Sequence, residues 1–194
     1  MRQEIFKLVC EMDMDDIDTQ LALQCAPIIT DLKFSNLLII PTGGKNRVEK
    51  LLQGTDISYY ILLDEKDKTT MLLYKQMELQ DYLSGSVQTQ MMQKLGYRSV
   101  RLFDILPVFR ARYAHYMKDS ILFPHEMGLL LGYPVEDVAG FIKHKGEHFL
   151  YNGYWKVYSN PLEKQKIFDR YEAARENLVE LVSKGVHMEN ILGG

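Results

Sequence analysis

Ser35-Asn36-Leu37-Leu38-Ile39-Ile40-Pro41, followed by Thr42-Gly43-Gly44, is the stretch whose reading decides the fold of this 194-residue chain. A short continuous apolar run predicts a buried strand. The Thr-Gly-Gly turn behind it opens a predicted helix over residues 45–52, and residues 57–63 (Ile-Ser-Tyr-Tyr-Ile-Leu-Leu) predict a second strand. Strand, helix and strand so close together read as a βαβ unit, whose crossover is expected to be right-handed. The polar link Asp64-Glu65-Lys66-Asp67-Lys68 feeds residues 69–75, a third strand antiparallel to the second, so the expected sheet is small and mixed.

On either side the pattern is helical. Upstream, acids from Glu4 to Asp18 gather ahead of Ile17, Leu21 and Cys25, which recur at helical spacing until about Pro27. The run Asp13-Met14-Asp15-Asp16-Ile17-Asp18 lacks the fifth-position ligand and the sixth-position glycine of a calcium loop. Its carboxylates read instead as groups at a helix N-terminus, accepting from free N–H groups and suiting the dipole. Downstream, Leu102, Ile105, Leu106, Phe109, Tyr113 and Tyr116 form one apolar helical stripe. Pro107 fits that helix in its first turn if it begins near Asp104. Pro124 and Pro134 start two short helices, over about residues 124–131 and 134–145. Asn152-Gly153 predicts a two-residue hairpin loop. Ser159 or Asn160 before Pro161, with Glu163 behind, opens a long helix whose stripe runs from Phe168 to Val182 and ends at Gly185. The whole reads as one compact α+β domain over residues 1–194: a small mixed sheet with a βαβ start, several helices, a late aromatic hairpin and a long C-terminal helix.

Composition bounds the function classes. There are 23 Lys and Arg against 26 Asp and Glu, a net charge of −3, which argues against electrostatic attachment to nucleic acid or anionic lipid. The charged N-terminus has no signal-peptide core, and no apolar run approaches the roughly 18 residues of a membrane span. Two cysteines, Cys10 and Cys25, read as buried thiols of a cytoplasmic protein rather than a disulfide framework. Six basic residues (Lys94, Arg98, Arg101, Arg110, Arg112, Lys118) surround the single acid Asp104, but no nucleic-acid motif accompanies them, and nucleic acid is not an expected partner.

Familiar catalytic motifs are missing. Before Lys45, Ile39 stands where a Walker A loop needs glycine, and Asn46 follows where it needs Ser or Thr. His125-Glu126 resembles the opening of the zincin helix, yet Leu129 occupies the second histidine's place, and adjacent helical residues point about 100° apart. No metal set is recognised, no cofactor is implied, and whether the chain is an enzyme stays open.

The hairpin carries more information. With Asn152-Gly153 as its loop, Leu150, Trp155, Val157 and His148 share one face, the expected core side. Phe149, Tyr151, Tyr154, Lys156 and Tyr158 share the other, a row of amphipathic aromatics beside a cation. The leading expectation is a small-molecule or anion-binding site between the 123–133 helix and the 154–158 hairpin. His125, Glu126, Tyr133, Asp137, Tyr154 and Lys156 are its candidate lining groups. The alternative is a protein-interaction or regulatory module that presents the Tyr-rich face to a partner or to a second copy.

Phe123-Pro124-His125-Glu126-Met127-Gly128-Leu129-Leu130-Leu131-Gly132-Tyr133-Pro134, continued by Glu136-Asp137-Val138 and Gly140-Phe141-Ile142, also carries a likeness. With Gly153-Tyr154-Trp155-Lys156-Val157-Tyr158 and the weaker Cys25-Ala26-Pro27, it resembles the signature of a bacterial domain-of-unknown-function family, number three-seven-nine-three. That signature has Ile and Phe where this chain has Met127 and Leu130, both mild apolar exchanges, and residues 41–45 match nothing in it. The resemblance implies a cytoplasmic bacterial protein and brings no activity, substrate or catalytic residue with it.

Overall fold

The structure, a computed structural model, describes residues 2–193 as two units, one of residues 2–75 with 170–193 and the other Gln76–Asp169. In the first unit, α1 (Gln3–Glu11) and α2 (Ile17–Ile29) precede the strands. Asp16 caps α2 as its acidic setting predicts, accepting from Thr19 N at 2.9 Å and Thr19 Oγ1 at 3.1 Å. Asp18 is buried and accepts from the Met188 N–H at 2.9 Å and from Arg47 at 3.2 Å. α2 does not stop at Pro27 but runs two residues further. Proline removes only its own donor, and the end is set by Asp31, whose φ of 57° lets the Leu32 N–H return to Pro27 O at 2.9 Å.

The next elements fall where the apolar runs place them: β1 (Ser35–Pro41), a 3-10 turn at Thr42–Gly44, α3 (Lys45–Leu52), β2 (Ile57–Asp64) and β3 (Lys68–Lys75). A Cβ on Gly44 would overlap the Ile17 side chain, so this glycine serves close packing. The pairing differs from expectation. β3 lies between β1 and β2 and is antiparallel to both, so Leu38 and Ile61 each face Met71. Each neighbouring pair is antiparallel, so the sheet is not mixed. β1 and β2 run parallel to one another, joined through α3, but with β3 inserted between them, so the βαβ unit is split. Thr69, Thr70, Met71, Leu72 and Leu73 are all buried, so this strand is covered on both faces and takes the centre. The short link from β2 also enforces a hairpin.

The core joins Leu21, Ala22 and Cys25 of α2 to Leu38, Ile40, Val48, Met71 and Leu73. Burial pushes the Cys25 thiol up to about 12, which leaves it a packing group. Cys10, expected to be buried as well, is exposed because it lies on the outward side of α1. The outer edge of β1 is closed by a side chain. Gln24 of α2 donates to Ile39 O at 2.8 Å and accepts from Ile39 N at 2.9 Å, so the edge does not offer those groups to another chain.

The second unit begins with α4 (Gln76–Ser84), α5 (Ser86–Lys94) and α6 (Leu102–Asp119). α6 starts two residues before the expected Asp104, so Pro107 lies inside it rather than in its first turn. Pro107 and Phe103 are exposed, where water is available to the carbonyl that loses its partner. Then come α7 (Glu126–Leu130), α8 (Val135–His144), the two-residue strands β4 (Tyr151–Asn152) and β5 (Lys156–Val157), and α9 (Pro161–Ser183). From Arg170 onward α9 belongs to the first unit, where Leu178 and Val179 enter the core, as does Met188 of α10 (Met188–Leu192).

Gln24→Ala tests the closed edge. It removes both bonds to Ile39 and is expected to cost about 2 kcal/mol in urea unfolding, at about 1 kcal/mol per bond. Dimerisation at high concentration is expected to rise.

Candidate functional site

α7 and α8 are joined by a turn that positions the site. Gly132, at φ 70°, lets its N–H reach Leu129 O at 2.9 Å, and the Tyr133 N–H reaches Gly128 O at 2.8 Å. Pro134 then caps α8, whose third residue is Asp137. That carboxylate is 2 % exposed and fully engaged. It accepts from Trp155 Nε1 and from the Tyr158 N–H, both at 2.8 Å, and from the Ser159 N–H at 3.2 Å. One buried acid thereby ties α8 to both the hairpin and the start of α9.

The hairpin does not take its predicted register. Tyr151 faces Val157 and Asn152 faces Lys156, leaving the three-residue loop Gly153-Tyr154-Trp155. Neither Asn152 nor Gly153 has the positive φ that a type I′ turn requires. Local turn preference yields here to the indole. Trp155 is anchored on Asp137, stacks on Tyr133 with ring centroids 4.9 Å apart, and meets Phe168 edge-on at 4.4 Å. A Cβ on Gly153 would overlap the Phe168 ring, so the loop also needs its glycine for close approach.

The register moves the faces. Trp155 and Val157 are buried as expected, but Leu150 is 61 % exposed and His148 is exposed too. The expected aromatic row is dispersed. Tyr151 and Tyr154 pack on Phe168, Tyr158 stacks on His144 at 5.7 Å, and Lys156 turns toward Phe141 and Phe149.

A cavity of about 210 Å³ results, and His125, Tyr133, Asp137, Tyr154 and Lys156 line it together with Phe123, Phe141 and Trp155. Its rings form two groups. Phe123, His125 and Phe141 lie within 5.9 Å of one another by centroid, while Tyr133 and Trp155 stack as described. Glu126 is not in this cavity. Its buried carboxylate accepts from Tyr97 OH at 2.8 Å and Arg112 at 3.1 Å, beside a second hollow of about 460 Å³. Burial and the Glu126 charge push the Tyr97 phenol up. Arg112 and Arg101, which pairs with Asp104 at 2.8 Å, are thereby drawn out of the basic patch.

Two polar groups of the cavity are unlike Asp137. His125 Nδ1 is buried without a hydrogen-bond partner, and burial holds the imidazole below its usual pKa against the opposing Glu126 charge. Lys156 Nζ donates to Gly146 O at 2.7 Å and lies 5.8 Å from the Phe141 ring centre and 5.1 Å from that of Phe149. Sequence reasoning missed Phe123, Phe141 and Trp155 as lining groups. Asp137, Val138 and Phe141 recur at helical steps of three and four on α8, a signal that places Phe141 beside the acid. No group of three or more His, Cys, Asp or Glu is placed to hold a metal among the described residues, and no described helix is long and apolar enough to cross a membrane.

A family model described as Protein of unknown function (DUF3793) matches residues 21–192. The chain belongs to this family. Both signature segments, at α7–α8 and at the hairpin, are therefore family territory, and they are the segments that enclose the cavity. No curated protein and no solved structure matches this DUF3793 chain.

Two outcomes test this geometry. Asp137→Ala strands the Trp155 Nε1–H and two backbone donors, and is expected to cost about 3 kcal/mol and shift Trp155 emission to the red. His125 has a lowered folded pKa, so its unfolded form takes up a proton first as the pH falls below about 6.5. Stability linked to this group is present above that pH and is lost below it. Thermal melts from about pH 7 to pH 5.5 are expected to fall further for the wild type than for His125→Gln.

Proposed function

We propose that the second unit binds a small organic molecule in the cavity between α7, α8 and the hairpin, with a flat ring as the preferred shape. The observation that carries this reading is the unpartnered, buried His125 Nδ1 in a hollow lined in large part by aromatic rings. Buried polar atoms are normally satisfied, and one left open at a cavity calls for a partner from outside the chain. The volume of about 210 Å³ suits one or two fused rings, since an apolar cavity of about 150 Å³ accepts benzene. Rings stacked at the rim supply the matching surface. No reaction follows from these groups, because Asp137 is spent on three donors and no activated nucleophile adjoins it. The reading also places the protein in the cytoplasm, a setting that suits its two free cysteines.

Trp155 is the only tryptophan of the chain and lines the cavity, so its emission reports occupancy. Quinoline and pyridine at millimolar concentration are expected to raise the thermal midpoint followed by calorimetry and to alter Trp155 emission, with quinoline read by quenching. Met127→Phe, which fills the cavity from α7, is expected to abolish both effects while leaving the fold intact. Unchanged melting and emission with both probes would overturn the reading.

A further inference from the structure

We infer that the ligand is an aromatic acid, a flat ring carrying a carboxylate that pairs with Lys156; this rests on the cavity reading above. Lys156 is the cation among the cavity's lining residues, and it forms no ion pair with an acid among the described residues. Its ammonium has three donors and spends one on Gly146 O, 2.7 Å away. The stem is fixed beside the Phe141 and Phe149 rings, so the charge is already placed and little side-chain freedom is lost when an anion arrives.

The rest of the cavity narrows the class. Asp137, the acid that lines it, has its oxygens taken by Trp155 Nε1 and two backbone N–H groups, so it offers an incoming cation no free acceptor. An aromatic cage for a quaternary ammonium would need its rings free of a competing positive charge, and here Lys156 lies 5.8 Å from the Phe141 ring centre. A phosphate would call for several convergent donors or an arginine fork, and the cavity offers one ammonium. A single cation beside stacked rings in a hollow of about 210 Å³ matches one carboxylate on one small ring system.

Benzoate, benzyl alcohol and benzylammonium share a ring and a size and differ in charge. Calorimetric titration of the full chain with each is expected to show benzoate binding about tenfold tighter than benzyl alcohol, the worth of one charge-assisted hydrogen bond. Benzylammonium is expected to bind more weakly than either. Lys156→Met keeps the stem between Phe141 and Phe149 and is expected to erase the preference for benzoate over benzyl alcohol. Lys156→Arg is expected to restore the preference. If benzyl alcohol or benzylammonium binds as well as benzoate, or if the preference survives in Lys156→Met, the aromatic-acid inference is overturned and the cavity reading stands. If none of the three binds and Trp155 emission also ignores quinoline, both fall.

Discussion

The carboxylate of Asp137 is the constraint on which the second unit's site depends. An ionised group at 2 % exposure must be surrounded by donors, and this one finds three: the Trp155 indole and the backbone N–H groups of Tyr158 and Ser159. Each donor comes from a different point in the hairpin or the approach to α9. Satisfying the acid therefore fixes where the indole lies, and the indole in turn fixes Tyr133 and Phe168 around it. The cavity is the space left beside that arrangement, roofed by Phe123 and Phe141 from the helical side.

Two acids of similar burial have opposite consequences in this unit. Asp137 adjoins the cavity with its lone pairs taken, whereas Glu126 turns away and is balanced by Arg112 and Tyr97 beside another hollow. His125 precedes Glu126 directly and lines both hollows, with its Nδ1 still open. Neutral imidazole, a placed ammonium and stacked rings are a combination suited to recognition, and their neighbours hold them without using up their hydrogen-bonding capacity.

The first unit obeys the same need to leave no polar group stranded. Asp18 joins α2 to α3 and α10 through Arg47 and the Met188 N–H, and Gln24 seals the edge of β1. Its strands and α3 were legible because continuous apolar runs, a Thr-Gly-Gly turn and a polar link mark them locally. Their order was not. Antiparallel placement of β3 in the centre follows from how completely each strand is buried, a property of the assembled layers.

In the candidate site the division is similar. Five of the six residues singled out from the sequence line one cavity, because the prolines and the Gly132 turn place the short helices locally and the aromatic segment must return to cover them. The hairpin register was hidden, since Asn152-Gly153 advertises a tight turn while the deciding partners, Asp137 and Phe168, are distant in sequence. Sequence alone determined which segments become helices and strands, because capping, turn residues and apolar periodicity act within a few neighbours. Only the tertiary structure decided strand order, register and which side chains share the hollow, because a buried charge and a large ring choose partners from the whole unit.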